Sequence, residues 1–328
     1  MIMAAIVLFF AGTLLIGIEL KSDNEHFFDK QNSNAMRGFW CLTVILVHVP
    51  IAYQNRIQDM LGSFAYIGVT FFFMTSAYGL KLEIEKKPGN IKTFWRRRLP
   101  KLLIPCIFVN IVGIMIDIVK GKEISAISLI YIDCWVRWLL VCYLIFWIAQ
   151  RFCAECANII ICVLVIFFSI TVYVCKGWIN QTTWCPEVFG FVWGILFKRT
   201  KDEFTNWINR AWGMKCAMLF VIVGLLGVAY LKLKPVVFFG DYLLKTLLGL
   251  AIITFMLALN SHIKLGNRVN QFLGGISFEV YLLHGIVFGL IIYLMAETSS
   301  GVFIVSGILV TIVLSVIVHK VNRLCLKG

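Results

Sequence analysis

Apolar segments close to twenty residues long recur from one end of this 328-residue chain to the other. A helix of roughly 20 residues, rising 1.5 Å per residue, matches the hydrocarbon thickness of a bilayer. In lipid every backbone N–H and C=O must find a partner within the chain, which leaves only helices or a closed barrel. The ~10-residue alternation of barrel strands is absent. The expected fold class is therefore all-α, a polytopic transmembrane helical bundle. About eleven spans can be drawn, at 1–20, 38–56, 64–80, 102–119, 127–149, 157–175, 186–197, 214–231, 241–259, 272–295 and 301–319. The segment 186–197 is the shortest and is flanked by polar residues. Composition agrees, with 60% hydrophobic residues, 14% charged residues and a mean hydropathy of +0.89. Soluble domains run nearer 45–50% apolar and about 25% charged.

The first segment has no basic n-region and no small-residue cleavage site, so it reads as a retained span with its N-terminus outside. The net charge of +13 follows the loops. With the 20–37 loop in the cytoplasm, inner segments hold 22 of the 30 Lys and Arg. That is the positive-inside pattern, and it puts the C-terminus in the cytoplasm. The basic excess thus reports orientation in a membrane, with lipid as partner and no nucleic acid. The eleven cysteines form no metal framework: Cys153-x-x-Cys156 is a lone pair, and no metal is expected. Cys175 and Cys185 flank an outer loop, where a bridge is open to an oxidising compartment.

The polar stretches 20–36, 81–101 and 198–213 are each too short to fold around a core. Any chemistry must use residues in the spans or at their ends. No internal repeat is visible, which argues against an inverted-repeat transporter.

In "RGFWCLTVILVH" (37–48), Arg37 and His48 stand eleven residues apart. On a helix that is close to three turns, which puts both on one face about 16 Å apart in depth. An isolated arginine at a span end serves as a snorkelling anchor as readily as a ligand. A histidine this deep needs a partner or a cavity. The segment "GSFAYIGVTFFFMTSAYGL" (62–80) offers Gly68, Thr75, Ser76, Ala77 and Gly79 as a small-residue surface for close helix approach. In "IKTFWRRRLPKLLIP" (91–105), Arg96, Arg97, Arg98 and Lys101 crowd one span entrance. Such a cluster serves as a positive-inside signal or as an anion site for phosphates. In "GGISFEVYLLHGIVF" (274–288), Ser277, Tyr281 and His284 share one helical face at i, i+4, i+7, while Glu279 points elsewhere. Arg137 of "WVRWLL" is placed to pair with Glu187 of "CPEVFGF" across the outer mouth, or to be a plain interfacial arginine.

Together these segments resemble the acyltransferase-3 family of integral membrane acyltransferases. "RGFWCLTVILVH" is similar to the family's Arg-x10-His motif and "GVTFFFMTSAYGL" to its Gly-Val-Asp-x-Phe-Phe-x-x-Ser-Gly segment. "RRRLPKLLIP", "WVRWLLVCYLIFW" and "GGISFEVYLLH" resemble its arginine-rich entrance, its Trp-Phe-Leu span and its Gly-x-Ser-x-x-x-Tyr-Leu-x-His segment. The five lie in family order over roughly 35–320. Thr70 stands where the family has an acid, Ala77 where it has glycine, and Lys101 where an Arg-x-x-Arg pair from Arg98 would end.

The resemblance implies a ten-span core in a membrane acyltransferase domain at 35–320, an extra N-terminal span at 1–20 and a cytoplasmic tail at 321–328. It implies an O-acyltransferase of the plasma membrane that moves an acyl group, usually acetyl, from cytoplasmic acyl-CoA to a hydroxyl of a cell-surface or lipid-linked glycan. Arg37 and His48 would be the essential pair, with Arg98 and Lys101 at the donor entrance. Joined to the spacing, this puts the donor's phosphates near Arg96, Arg97, Arg98, Lys101 and Arg37. His48 would serve as general base or transient acyl carrier. Tyr281 and His284 would orient the acceptor or stabilise the oxyanion. Ser76, Ser277, Arg137 and Glu187 complete the expected substrate contacts. A polysaccharide exporter or proton-coupled transporter is the rival reading, and a packing-only scaffold the third.

Overall fold

The computed structural model describes residues 8, 12, 15–20, 27–56, 58, 62–175, 185–295 and 298–326. The described chain is almost wholly helical. The helices are α1 (Lys30–Val47), α2 (Tyr66–Lys86), α3 (Phe94–Val119), α4 (Cys134–Phe152), α5 (Ala157–Val174) and α6 (Phe189–Asn209). They continue as α7 (Trp212–Leu233), α8 (Lys245–Asn260), α9 (Arg268–Gly275), α10 (Ser277–Leu294) and α11 (Ser300–Cys325). A π-helical turn, Phe239–Leu244, runs directly into α8. The two short strands β1 (Glu19–Leu20) and β2 (Ile263–Lys264) pair antiparallel.

Seven of these elements are long and apolar enough to cross a membrane: α3, α4, α5, α7, α8 with its π turn, α10 and α11. The chain is a helical multi-pass membrane protein. Three further helices of 18 to 21 residues, α1, α2 and α6, coincide with expected spans but carry polar ends. The expected first span, 1–20, lies largely outside the described residues. Large apolar side chains such as Ile159, Val163 and Phe167 on α5, and Phe220 and Leu225 on α7, point outward, as a lipid-facing surface requires.

Several boundaries differ from the sequence reading, each for a local reason. The span drawn at 38–56 stops being helical at Val47, with His48 as C-cap. Pro50 has no N–H to give and disfavours helical geometry at Val49. His48 is therefore the cap that ends the helix, not an interior residue. The span drawn from 127 begins at Cys134, where the Asp133 side chain accepts from the Trp135 amide at 3.1 Å. The stretch 272–295 is two helices, broken at Ile276 just after Gly274 and Gly275. The segment drawn at 186–197 continues to Asn209 past a kink at Thr200.

Two close approaches set the frame. A Cβ at Gly38 would collide with the Asn270 carbonyl, so α9 can lie against α1 only over glycine. A Cβ at Gly190 would collide with the Thr70 carbonyl, and this seats α6 on α2. Ala77, one of the small residues singled out on α2, meets the same face of α6 at Gly194; Gly79 has open space around it. On α1, Arg37 faces a space it shares with residues of α2, α4 and α10.

Candidate active site

Arg37 and His48 sit at opposite ends of one stretch of α1. The Arg37 guanidinium lies 4.5 Å from the centroid of the Phe72 ring, and its Nε is buried without a partner. It lines two adjoining cavities of about 410 and 470 Å³, together with Ser76, Arg98 and Tyr143. The first also holds Lys101, Glu279, His319 and Arg323, which makes it a mostly basic chamber at the arginine-rich end of the bundle. Glu279 is buried and accepts from His319 Nδ1 at 3.0 Å and from Asn322 at 3.1 Å.

At the other end, His48 is exposed to open space, and its Nδ1 lies 2.8 Å from the Val44 carbonyl. A carbonyl only accepts, so Nδ1 carries the hydrogen and Nε2 keeps its lone pair. His284 repeats the arrangement, with Nδ1 3.2 Å from the Val280 carbonyl. The two rings lie 4.5 Å apart at 61°. Both face a cavity of about 370 Å³ that also touches Tyr131, Asp133, Trp135 and Tyr281. Burial raises the Asp133 carboxyl above its ordinary range, with the Trp135 amide, Arg137 and His48 pulling the other way.

Trp135 lines both the basic chamber and the histidine cavity. Tyr281 packs 4.4 Å from Phe72 and 5.6 Å from Trp135, so three rings form the wall between the two spaces. The Trp135 Nε1 and the Tyr281 hydroxyl are both buried without partners. An arm crossing that wall would find two hydrogen-bond donors beside two imidazole bases.

The other expected residues divide. Arg98 and Lys101 enter the basic chamber, although Arg98 and Arg97 both pair with Glu83. Arg96 is exposed and lines neither basic cavity. Ser277 is buried at the start of α10, where its hydroxyl donates to the Gly274 carbonyl at 2.7 Å, and it lines neither the two basic cavities nor the histidine cavity. The pairing of Arg137 with Glu187 is overturned: Glu187 binds Lys245 at 2.6 Å, and Arg137 is exposed in the first turn of α4, beside Asp133. Lys245 lies at the start of α8, directly opposite Glu187, while α4 presents Arg137 elsewhere. Cys175 and Cys185 are not bridged to one another. Among the described residues no cluster of His, Cys, Asp or Glu could hold a metal ion.

Asp133, Trp135, His319 and Lys245 escaped the sequence reading as site residues. Trp135 opens the motif "WVRWLL", and Asp133 stands two residues before it, inside the span drawn from 127. Glu279 was seen, but its partners on α11 are some forty residues further along the chain.

The acyltransferase domain family model matches residues 30–320 of this chain. No curated protein and no solved structure matches it.

Proposed function

The chain belongs to the acyltransferase-3 family, whose domain covers nearly all of it, and from that premise we propose that it is a plasma-membrane O-acyltransferase. It moves an acyl group, acetyl first among candidates, from cytoplasmic acyl-CoA to a hydroxyl of a cell-surface or lipid-linked glycan. In this reading the chain has a ten-span core plus the N-terminal span, its N-terminus outside and its C-terminus in the cytoplasm.

The observation that carries the reading is the placement of the paired imidazoles. They lie one aromatic wall away from the mostly basic chamber. Arg37, Lys101 and Arg323, with Arg98, offer charge to the diphosphate and ribose phosphate of the donor. The pantetheine arm is the part of that donor slender enough to pass Phe72, Trp135 and Tyr281. His48 Nε2 takes the proton from the acceptor hydroxyl as its oxygen attacks the thioester carbonyl. The Trp135 N–H and the Tyr281 O–H stand on the wall to receive the carbonyl oxygen as it gains charge. The C–S bond breaks, and the departing thiolate recovers the proton from the imidazolium. Attack by His48 itself, with a transient acyl-imidazole, uses the same groups in two steps.

The test is acyl transfer by the purified full chain in liposomes, with labelled acetyl-CoA and surface glycan extract. Ester formation that requires His48 supports the reading. Glycan flux without acyl-CoA, and no ester, would replace it with the exporter.

A further inference from the structure

His48 also borders a second cavity, of about 310 Å³, which Asp133 does not line. It is lined by Ser63, Tyr66, Glu187, Tyr230 and Lys245, drawn from the ends of α2, α6, α7 and α8 remote from the arginine cluster. Glu187 is only 2% exposed; one carboxylate oxygen binds Lys245 and the other, Oε2, has no partner. The Tyr66 hydroxyl is likewise buried without a partner. A buried carboxylate oxygen left unpaired is costly, and such atoms mark places where a ligand completes the hydrogen bonding. The rings of Tyr66 and Tyr230 lie 5.8 Å apart at 58°, an open aromatic angle beside the carboxylate. Lys245 Nζ sits 4.9 Å from the centre of the Tyr66 ring, which fixes the ion pair against it.

We propose that this cavity is the acceptor site, and that it takes an uncharged pyranose unit of the glycan. The inference rests on the acyltransferase reading above. Carboxylate plus aromatic ring is a fitting pair for a sugar: Oε2 accepts from a ring hydroxyl, and the tyrosine faces cover the apolar C–H surface. Glu187 and Lys245 neutralise one another, so the cavity has no spare cation to hold an acidic sugar, and the unpaired Oε2 takes a hydroxyl donor rather than a carboxylate. The placement of His48 on two cavities gives the geometry its sense. The cavity sharing Trp135 with the basic chamber receives the thioester, and the hydroxyl reaches His48 from the other cavity.

The experiment uses the full chain in liposomes with acetyl-CoA, and methyl glycosides of neutral hexoses as acceptor probes. Glu187→Gln and Tyr66→Phe should each raise the acceptor KM, by tenfold or more for Glu187→Gln and several-fold for Tyr66→Phe, with the KM for acetyl-CoA unmoved. Methyl glucuronide should be the poorer acceptor. If Glu187→Gln does not accumulate, Tyr66→Phe, which deletes one oxygen atom, decides alone. Transfer by the parent with acceptor KM unchanged in these variants overturns the site while leaving the acyltransferase reading intact. Better transfer to the glucuronide overturns the uncharged-sugar assignment. Absence of His48-dependent acetyl-CoA consumption by the parent overturns the reading beneath both.

Discussion

The imidazoles of His48 and His284 stand 4.5 Å apart, each with Nδ1 held by the carbonyl four residues before it. Two helices far apart in the chain, α1 and α10, thus present two Nε2 lone pairs to one cavity. The backbone fixes both tautomers, so neither ring needs a carboxylate to orient it.

His284→Asn removes the second imidazole and keeps a polar side chain in the same space. Transfer should fall by about a hundredfold, because the Nε2 acceptor that would orient the attacking hydroxyl beside His48 is lost. The helix should stay folded, since α10 is held by apolar contacts, Val287 and Phe288 among them. Steady-state assay and thermal unfolding of the same preparation check the two halves together.

Asp133→Asn keeps the acceptor oxygen that caps α4 and deletes the charge. The carboxylate favours the imidazolium that forms as His48 takes a proton. A loss of roughly tenfold in kcat, about 1.4 kcal/mol, is expected, with unchanged KM for acetyl-CoA. A rise in KM without loss of kcat would assign Asp133 to binding.

Arg37→Lys is not conservative at a phosphate-facing guanidinium, because the planar fork is lost. The KM for acetyl-CoA should rise about tenfold or more, as loss of a charge-assisted hydrogen bond worth roughly 1.5–3 kcal/mol implies. Lys101→Arg should be tolerated, since the chamber there asks only for positive charge. Titration of acetyl-CoA against both variants separates the two.

Gly190→Val tests the frame. Its side chain would meet the Thr70 backbone, which cannot yield as a flexible side chain does. Forced repacking of this kind costs roughly 1–3 kcal/mol, so the variant should unfold at lower temperature and lose activity in proportion. Gly79→Val, on α2 but with open space around it, is the control for stability.

The sequence was most informative where a signal is local. Spans follow from apolar length, and Arg37 and His48 from an eleven-residue spacing on one helix face. Helix ends were harder, because Pro50 and the Gly274–Gly275 break act within runs that remain apolar on both sides. Pairings between helices were not legible. Glu187 chose Lys245 over Arg137 because α8, not α4, lies opposite it, and loop order alone does not contain that. The wall of Phe72, Trp135 and Tyr281 comes from three helices, and no single stretch announces it.

The most direct measurement of the central claim is ester formation by purified His48→Ala beside the parent chain, in liposomes with acetyl-CoA and glycan. Parent activity with loss of at least a hundredfold in the variant, at unaltered thermal stability, is the predicted result. Ester formation by His48→Ala within a few-fold of the parent would contradict the account.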